Sequence, residues 1–515
     1  MTSSLDRRSF VAGLGATTAA AAVPQMPTAP IAPAPPLNAT AVDLLADLAA
    51  HRVSSRELVD AAIARIEALD PKINAVVVRD FDRARAAAGD ADAAIARGER
   101  RPLLGLPMTV KEAFNVVGLP TTWGYTRFRN FHPDADSLVV QRLKTAGAVI
   151  LGKTNVPVGL GDWQSYNEIY GTTNNPWDLG RTPGGSSGGS AAALAARFVP
   201  LELGTDIGGS LRAPAHYCGV FAHKPTVELV PWRGAGPPET PPVPVPGDLA
   251  VIGPMARSAA DLALELNVLA GPDELWSGLG TKLAMPLPRH DDLPAFRVLV
   301  LDDHPLCPTA ENVRGALDTL AAELAKLGCV VVRKHPDLPN VALTTRNYVE
   351  LLAAASEMTP DERARTEAVV AALPPDDLSL GALYQRGQVM SHAAWVRASR
   401  LQLGLRARWQ ALFGDVDVVL CPPMPTVAFP HDHSPLVGRK IDIDARKVAY
   451  PDQLSWIAAA TVIGLPATVA PISRSANGLP IGVQIVGGYF DDRTTIAFAG
   501  LIEREFGGFT PPPDL

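Results

Sequence analysis

The chain has 515 residues, 47% of them hydrophobic and 19% charged, with a formal net charge of -7. That is enough apolar chain for one large domain or two to three ordinary ones, and the absence of a basic patch argues against nucleic acid as the main partner. Cys218, Cys307, Cys329 and Cys421 permit disulfides by parity; Cys329 and Cys421 stand in the apolar runs LGCVVV and VVLCPP and read as small buried hydrophobes, and no Cys/His spacing suggests zinc.

The chain opens on SLDRRSFVAGLGATTAAAAVPQ, where Arg7-Arg8 and Phe10 precede a short Gly/Ala-rich run. This resembles a twin-arginine export signal, although Asp6 stands where Ser or Thr is usual. Residues 1–22 are expected to be removed on export to the periplasm or outside, and the run is too short to span a membrane in the mature chain. Residues 23–40 carry six prolines and read as a semi-rigid tether. Two helices are expected over residues 41–69, the second capped by Ser54 or Ser55, with Leu58, Ala62, Ile66 and Leu69 at helical spacing. DFDRARAAAGDADAAIARGE reads as a further helix, and LLGLPMTVKEAF holds a short apolar run ending at Lys111. SLVVQRLKTAGAVILGKTN reads as helix, stop at Gly147, and strand over 149–151. SAAALAARFVPLELGTD reads as helix then strand, AFRVLVLDD to CVVVRK as strand, helix, strand, and DVDVVLCPPMP and IGVQIVGG as late strands. Residues 231–248 are a proline-rich loop, and 340–412 a helical cap or side lobe. Strands alternating with helices imply an α/β domain with a mostly parallel or mixed sheet covered on both faces, and no repeat of 20 to 50 residues is present.

The unusual chemistry lies in two glycine- and serine-rich segments. GGSSGGS, residues 184–190, has the composition of a slack linker, yet it runs into a helix expected to begin at Ala191 with Ser190 as its cap. A phosphate loop would need a following Lys, and a dinucleotide loop or a nucleophile elbow at Ser186 or Ser187 would need a strand just before it; NNPWDLGRTP stands there instead. GTDIGGS, residues 204–210, follows the strand-like VPLEL. There Ile207, Gly208 and Gly209 offer successive backbone N–H donors beside Ser210, as an oxyanion hole requires. His216 and His223 are near in sequence, but neither has an acidic partner placed by spacing, so a histidine relay is unsupported.

Residues 182–226, TPGGSSGGSAAALAARFVPLELGTDIGGSLRAPAHYCGVFAHKPT, resemble the signature block of the amidase signature family. The likeness extends upstream through LLGLPMTVKEAFNVVGLPTTWG and GAVILGKTNVPVG. Downstream it includes GPMARSAADLALELNVLAG, DVDVVLCPPMPTVAF and GLPIGVQIVGGYFDD, so it covers most of residues 41–500. The resemblance implies the family's fold, a central mixed, largely parallel twisted sheet with helices on both faces, in a single catalytic domain over 41–515. It also implies a Ser–cis-Ser–Lys triad: Ser210 as nucleophile, Ser186 as the bridging serine after a cis peptide, and Lys111 as base. Ile207, Gly208, Gly209 and Ser210 would form the oxyanion hole, with Ser187, Asp206 and Arg212 in support. A lysine acts as a base only when neutral, and burial at the end of GLPMTV would lower its pKa. Lowering it from ~10.4 to ~7.5 costs roughly 4 kcal/mol of stability at ~1.36 per unit. By residue chemistry alone Lys153, at the end of VILG, competes equally; the motif match selects Lys111.

Three departures bear on substrate. Trp123 and Tyr125 are bulkier than the small residues often found after the paired threonines; Asp162-Trp163 replaces a common Glu-containing pair; the 231–248 loop is long. Trp123, Tyr125, Asp162 and Trp163 are therefore the candidate acyl pocket, and an apolar pocket suits an alkyl or aryl acyl group. The expected function is hydrolysis of small aliphatic, aryl or peptide amides, with esters and carbamates within reach of the same acyl-enzyme step. The alternatives are an amidotransferase glutaminase subunit, which needs a partner, and a non-catalytic binding protein on the same scaffold. No cofactor or metal, no nucleic acid and no stable membrane insertion after export are expected, and the assembly state would be a monomer or homodimer.

Overall fold

Eleven short runs, most of them rich in Val, Leu and Ile, pair side by side into one sheet. In chain order they are β1 (Val76–Arg79), β2 (Pro107–Lys111), β3 (Val149–Thr154), β4 (Leu201–Asp206), β5 (Phe221–Lys224), β6 (Val251–Ala256), β7 (Arg297–Val300), β8 (Val330–Val332), β9 (Val418–Cys421), β10 (Ala467–Arg474) and β11 (Pro480–Val486). Across the sheet they run β1-β3-β2-β4-β6-β5-β10-β11-β9-β7-β8. The computed structural model describes residues 37–244, 248–356 and 358–513. The export-type start, most of the proline tether and residues 245–247 of the proline-rich loop lie outside the described residues. Residues 35–515 gather into one unit.

The fold is α/β with a mixed sheet, as expected. Pairing is parallel at β3–β2–β4 and at β9–β7–β8. It is antiparallel at β1–β3 and through the centre from β4 to β9. The parallel character thus belongs to the flanks. Parallel neighbours need a crossover of a dozen or more residues, whereas β10 and β11 are joined by residues 475–479 alone, which permits only a hairpin. Every residue of β2, β3 and β4 is buried. Successive side chains of a strand point to opposite faces, so both faces are covered.

The helices follow their local signals with two adjustments. Ser54 caps the helix Ser55–Ile73 in a reciprocal capping box with Glu57, and Gly147, at φ 96°, ends the helix before β3. The glycine–serine helix, however, spans Gly188–Ala195, so it begins before Ala191 and Ser190 lies inside its first turn. Ser190 Oγ pairs instead with Thr154 Oγ at 2.8 Å. The early start is possible because Gly189 lies against the backbone of Asn155, where a Cβ would come within 2.3 Å of the amide nitrogen. The run 341–412 forms four helices, Val341–Ala354, Pro360–Ala372, Leu380–Gln388 and His392–Leu412. All four cysteines are free and buried.

Candidate active site

β2 and β4 are parallel neighbours, so their carboxyl ends emerge side by side. Lys111 closes β2, while Thr205 and Asp206 close β4. Lys111 is fully buried. Its Nζ donates to Ser186 Oγ at 2.6 Å and to Thr205 Oγ1 at 2.7 Å. Both partners are neutral hydroxyls, so no contact repays the ammonium for its lost hydration. Burial pushes the Lys111 pKa well below its ordinary value, and the charge of Asp206 opposes this only in part.

Ser186 reaches Lys111 by a sharp turn. Gly184 sits at φ 92°, a conformation that glycine adopts without steric cost. A Cβ at Gly185 would lie 2.3 Å from the Asp162 carbonyl oxygen. The Gly185–Ser186 peptide is cis. Ser165 Oγ secures the turn, donating to the Gly184 carbonyl and accepting the Gly188 N–H, each at 3.1 Å. Ser187 stitches the two segments together: its N–H donates to the Ser210 carbonyl at 3.2 Å and its Oγ to the Thr205 carbonyl at 3.3 Å.

The 206–212 loop is wound around a buried ion pair. Asp206 accepts from the N–H groups of Gly209 and Leu211, both at 3.0 Å, and from Arg212 Nη2 at 2.7 Å. Burial alone would raise this carboxyl, but the Arg212 guanidinium holds it below its usual value. Arg212 also donates to the Ile457 carbonyl, Gln484 Oε1 and Thr461 Oγ1. Asp206 and Arg212 are therefore loop clamps.

The four amides read as an oxyanion hole are not equivalent. The Gly209 N–H is committed to Asp206. Those of Ile207, Gly208 and Ser210 donate to no described residue. A Cβ at Gly208 would meet nothing within 4 Å, so the loop is open there. Ser210 is 5% exposed, and its Oγ makes no hydrogen bond among the described residues. Two side chains grip this loop by its carbonyls: Trp163 Nε1 donates to Gly208 O and the Tyr348 hydroxyl to Ile207 O, both at 2.7 Å.

The competing bases lie elsewhere. Lys153 Nζ donates to the Pro120 carbonyl at 2.5 Å and to Thr121 Oγ1 at 2.9 Å. Burial lowers its pKa to about 8, with Glu112 opposing. It braces the turn after β2, and Ser186 is not among its partners. His216 has both nitrogens engaged, with the Thr426 carbonyl and the Gly482 N–H. His223 does have an acidic partner, which spacing did not reveal: Asp492 at 3.0 Å, with Thr468 on the other nitrogen. Neither ring retains a nitrogen for a serine.

The proposed pocket residues divide. The Asp162 carboxylate accepts from Arg439 Nη1 and the Tyr450 hydroxyl, both at 2.7 Å. Trp163 is 8% exposed and tied to Gly208. Trp123 is half-buried, its indole N–H donating to the Ala113 carbonyl, and Tyr125 is half-buried beneath the Arg127 guanidinium. Sequence reasoning missed Thr205 and Tyr348. Thr205 lies within GTDIGGS but carries no signal separating it from ordinary strand Thr. Tyr348 lies 141 residues from Ile207. Among the described residues, one trio of metal-ligand type, His335, Asp337 and Asp415, brings its atoms within 4.8 Å of one another. His335 Nδ1 already accepts the Asp337 N–H there.

The Amidase family profile matches residues 57–496. A glutamyl-tRNA(Gln) amidotransferase subunit of Anaeromyxobacter sp. (strain K) is 36% identical over 497 residues, 91% of this chain and 96% of that one. A solved structure reported under the words "an unexpected vestigial protein complex reveals the evolutionary origins of an s-triazine catabolic enzyme" is 31% identical. Its TM-score is 0.75, over 91% of this chain and 99% of that one. The structure of 6-aminohexanoate cyclic dimer hydrolase is 27% identical with a TM-score of 0.71, over 93% and 99%.

Proposed function

The chain belongs to the amidase family and is an amide-hydrolysing enzyme, and from that premise we propose that it cleaves small aliphatic, aryl or peptide amides through an acyl-enzyme formed on Ser210. In this reading Ser210 Oγ attacks the carbonyl carbon. Its proton passes to Ser186, whose own proton passes to Lys111, while the carbonyl oxygen gathers charge against the free loop amides. The C–N bond then breaks, the proton returns to the departing amine, and water repeats the sequence to release the acid. The observation that carries the reading is the 2.6 Å contact between a fully buried, uncharged-favouring Lys111 and Ser186. Esters and carbamates present the same carbonyl to the same serine. The test is amine and ammonia release from a panel of aliphatic, aryl and peptide amides, one ester and one carbamate, with Ser210→Ala alongside. Serine-dependent release is expected; turnover by folded Ser210→Ala at the wild-type rate would remove the assignment.

A second reading, supply of ammonia from glutamine within a multi-subunit complex, is favoured by the 36% identity to a glutamyl-tRNA(Gln) amidotransferase component. Ammonia release from glutamine that appears only with partner proteins, and silence toward the panel, is its signature. The Arg7-Arg8 start supports export, and aminoacyl-tRNA is a cytoplasmic substrate, so we place the mature enzyme in the periplasm or outside the cell. Fusing residues 1–40 to a reporter tests this: a reporter retained in the cytoplasm overturns the placement, and export that survives Arg7→Lys/Arg8→Lys overturns the twin-arginine route.

A further inference from the structure

We propose that Tyr348 is a positioning residue for the oxyanion hole: from the helical lobe, its phenol fixes the Ile207–Gly208 peptide plane so that the Gly208 N–H faces the reacting carbonyl oxygen. The proposal rests on the Ser210 reading above and adds to it a residue outside the glycine–serine blocks.

The argument is one of peptide geometry. In a trans peptide the carbonyl of one residue and the N–H of the next point in opposite directions across a rigid plane. Anchoring a carbonyl therefore aims the following amide. The Tyr348 hydroxyl holds Ile207 O at 2.7 Å, which turns the Gly208 N–H to the opposite side. The Trp163 indole holds Gly208 O at 2.7 Å, which turns the Gly209 N–H away in the same manner, and that amide is found on Asp206 at 3.0 Å. Two successive planes are thus pinned from outside. The amide after the Tyr348 anchor donates to no described residue, and a Cβ at Gly208 would meet nothing within 4 Å, so there is space beside it.

The phenol is built for this duty. Tyr348 is fully buried on the helix Val341–Ala354, and burial pushes its pKa above the ordinary phenol value, so it remains a donor at any working pH. Gly208 itself cannot hold the plane, because a glycine has no side chain to lock its backbone and a Cβ there would meet nothing within 4 Å. An oxyanion donor helps only if it is aimed before the charge develops, since a reorienting dipole consumes the stabilisation it provides.

The test uses Tyr348→Phe, which keeps the ring and removes only the donor. The probe is an alkyl fluorophosphonate. Ser210 Oγ attacks phosphorus, the P–F bond breaks, fluoride leaves, and the serine proton passes through Ser186 to Lys111. The phosphoryl oxygen meanwhile gathers charge where an amide's carbonyl oxygen would. The second-order labelling rate is expected to fall about 10- to 100-fold, less than the ~10²–10³ for deleting a donor outright. The acidic limb of its pH profile should stay in place, and the melting midpoint should fall only slightly, by the loss of one buried hydrogen bond. A purely structural role would lower the melting midpoint without slowing the labelling of the folded enzyme, and damage to the lysine relay would move the limb; a moved limb, or labelling within about twofold of wild type, overturns the proposal. If Tyr348→Phe does not fold, Tyr348→Met is read by the same criteria, because it also removes the donor and its flexible apolar side chain adapts to the space left. Ser210→Ala runs beside both. Labelling that persists there overturns the Ser210 reading itself. No labelling there, with Tyr348→Phe at the wild-type rate, overturns the Tyr348 assignment alone.

Discussion

At the scale of single residues, the site turns on which of three buried lysines sheds its proton beside a serine. Lys111, Lys153 and Lys224 are all fully or almost fully buried, and burial lowers each of them. Depression alone therefore does not identify the base. Partners do: Lys153 faces Glu112 and a backbone carbonyl, Lys224 Nζ donates to the Pro225 carbonyl, and Lys111 meets Ser186. A base must be neutral to accept the serine proton, so activity should rise with pH through the lowered Lys111 pKa. The expected outcome for Lys111→Ala is a loss of at least ~100-fold in kcat together with that acidic limb. A kcat-versus-pH series checks it, and an unchanged limb in the variant would move the base elsewhere. The two glycine–serine segments stood out in the sequence because glycine and serine there form local turns, while the roles of Lys111, Ser186 and Ser210 came from the family resemblance. The choice of Lys111 over Lys153 was not legible from residue chemistry, since both close apolar strands.

At the scale of elements, β4 connects the catalytic turn to the core. Leu201 and Leu203 pack into the main apolar cluster, while Glu202 lies buried among Thr109, Thr154 and Ser190. Burial raises Glu202 to about 8. It also raises Glu265, on the helix Ala259–Leu269, well above its usual value, with the charge of Glu202 adding to the effect. Both Glu265 oxygens lack a hydrogen-bond partner, as suits a protonated acid better than an isolated buried charge. The folded chain therefore keeps a proton on Glu202 that the unfolded chain releases above its ordinary carboxyl pKa. Stability from this group is complete below that pKa and is lost as pH rises toward about 8. Glu202→Gln removes this dependence. Its melting midpoint relative to wild type should climb steadily between about pH 5 and pH 8; parallel curves across that range would show that Glu202 is ionised in the folded state. Helices were readable from spacing, whereas the choice of Ser54 over Ser55 as cap came from the reciprocal bonds with Glu57 in the structure. The start of the glycine–serine helix was not, because Gly189 is placed by contact with Asn155 rather than by its own neighbours in the chain.

At the scale of the whole molecule, the site is a meeting of distant segments. Lys111 comes from β2, Ser186 and Ser187 from the turn before a helix, and Thr205 to Arg212 from the end of β4. Trp163 comes from a loop, Tyr348 from the lobe, and Ile457 and Gln484 from the last third of the chain. Arg212 ties the 206–212 loop to Ile457 and Gln484, 245 and 272 residues away. Four facts were in the sequence by itself: an α/β class, a mixed sheet, two glycine–serine turns able to present serines and bare amides, and a lysine at a strand end. Each is a property of a short window, governed by side-chain period, by the absence of a Cβ, and by a buried run ending in a polar group. Only the tertiary structure decided the rest. Hydrogen-bond partners decide which of the buried lysines meets a serine. Carbonyl anchors from Trp163 and Tyr348 decide which amides are free. The fold brings Arg439 to Asp162 across 277 residues of chain. Desolvation and hydrogen-bond direction depend on what surrounds a group in space, and no local window of residues contains that information.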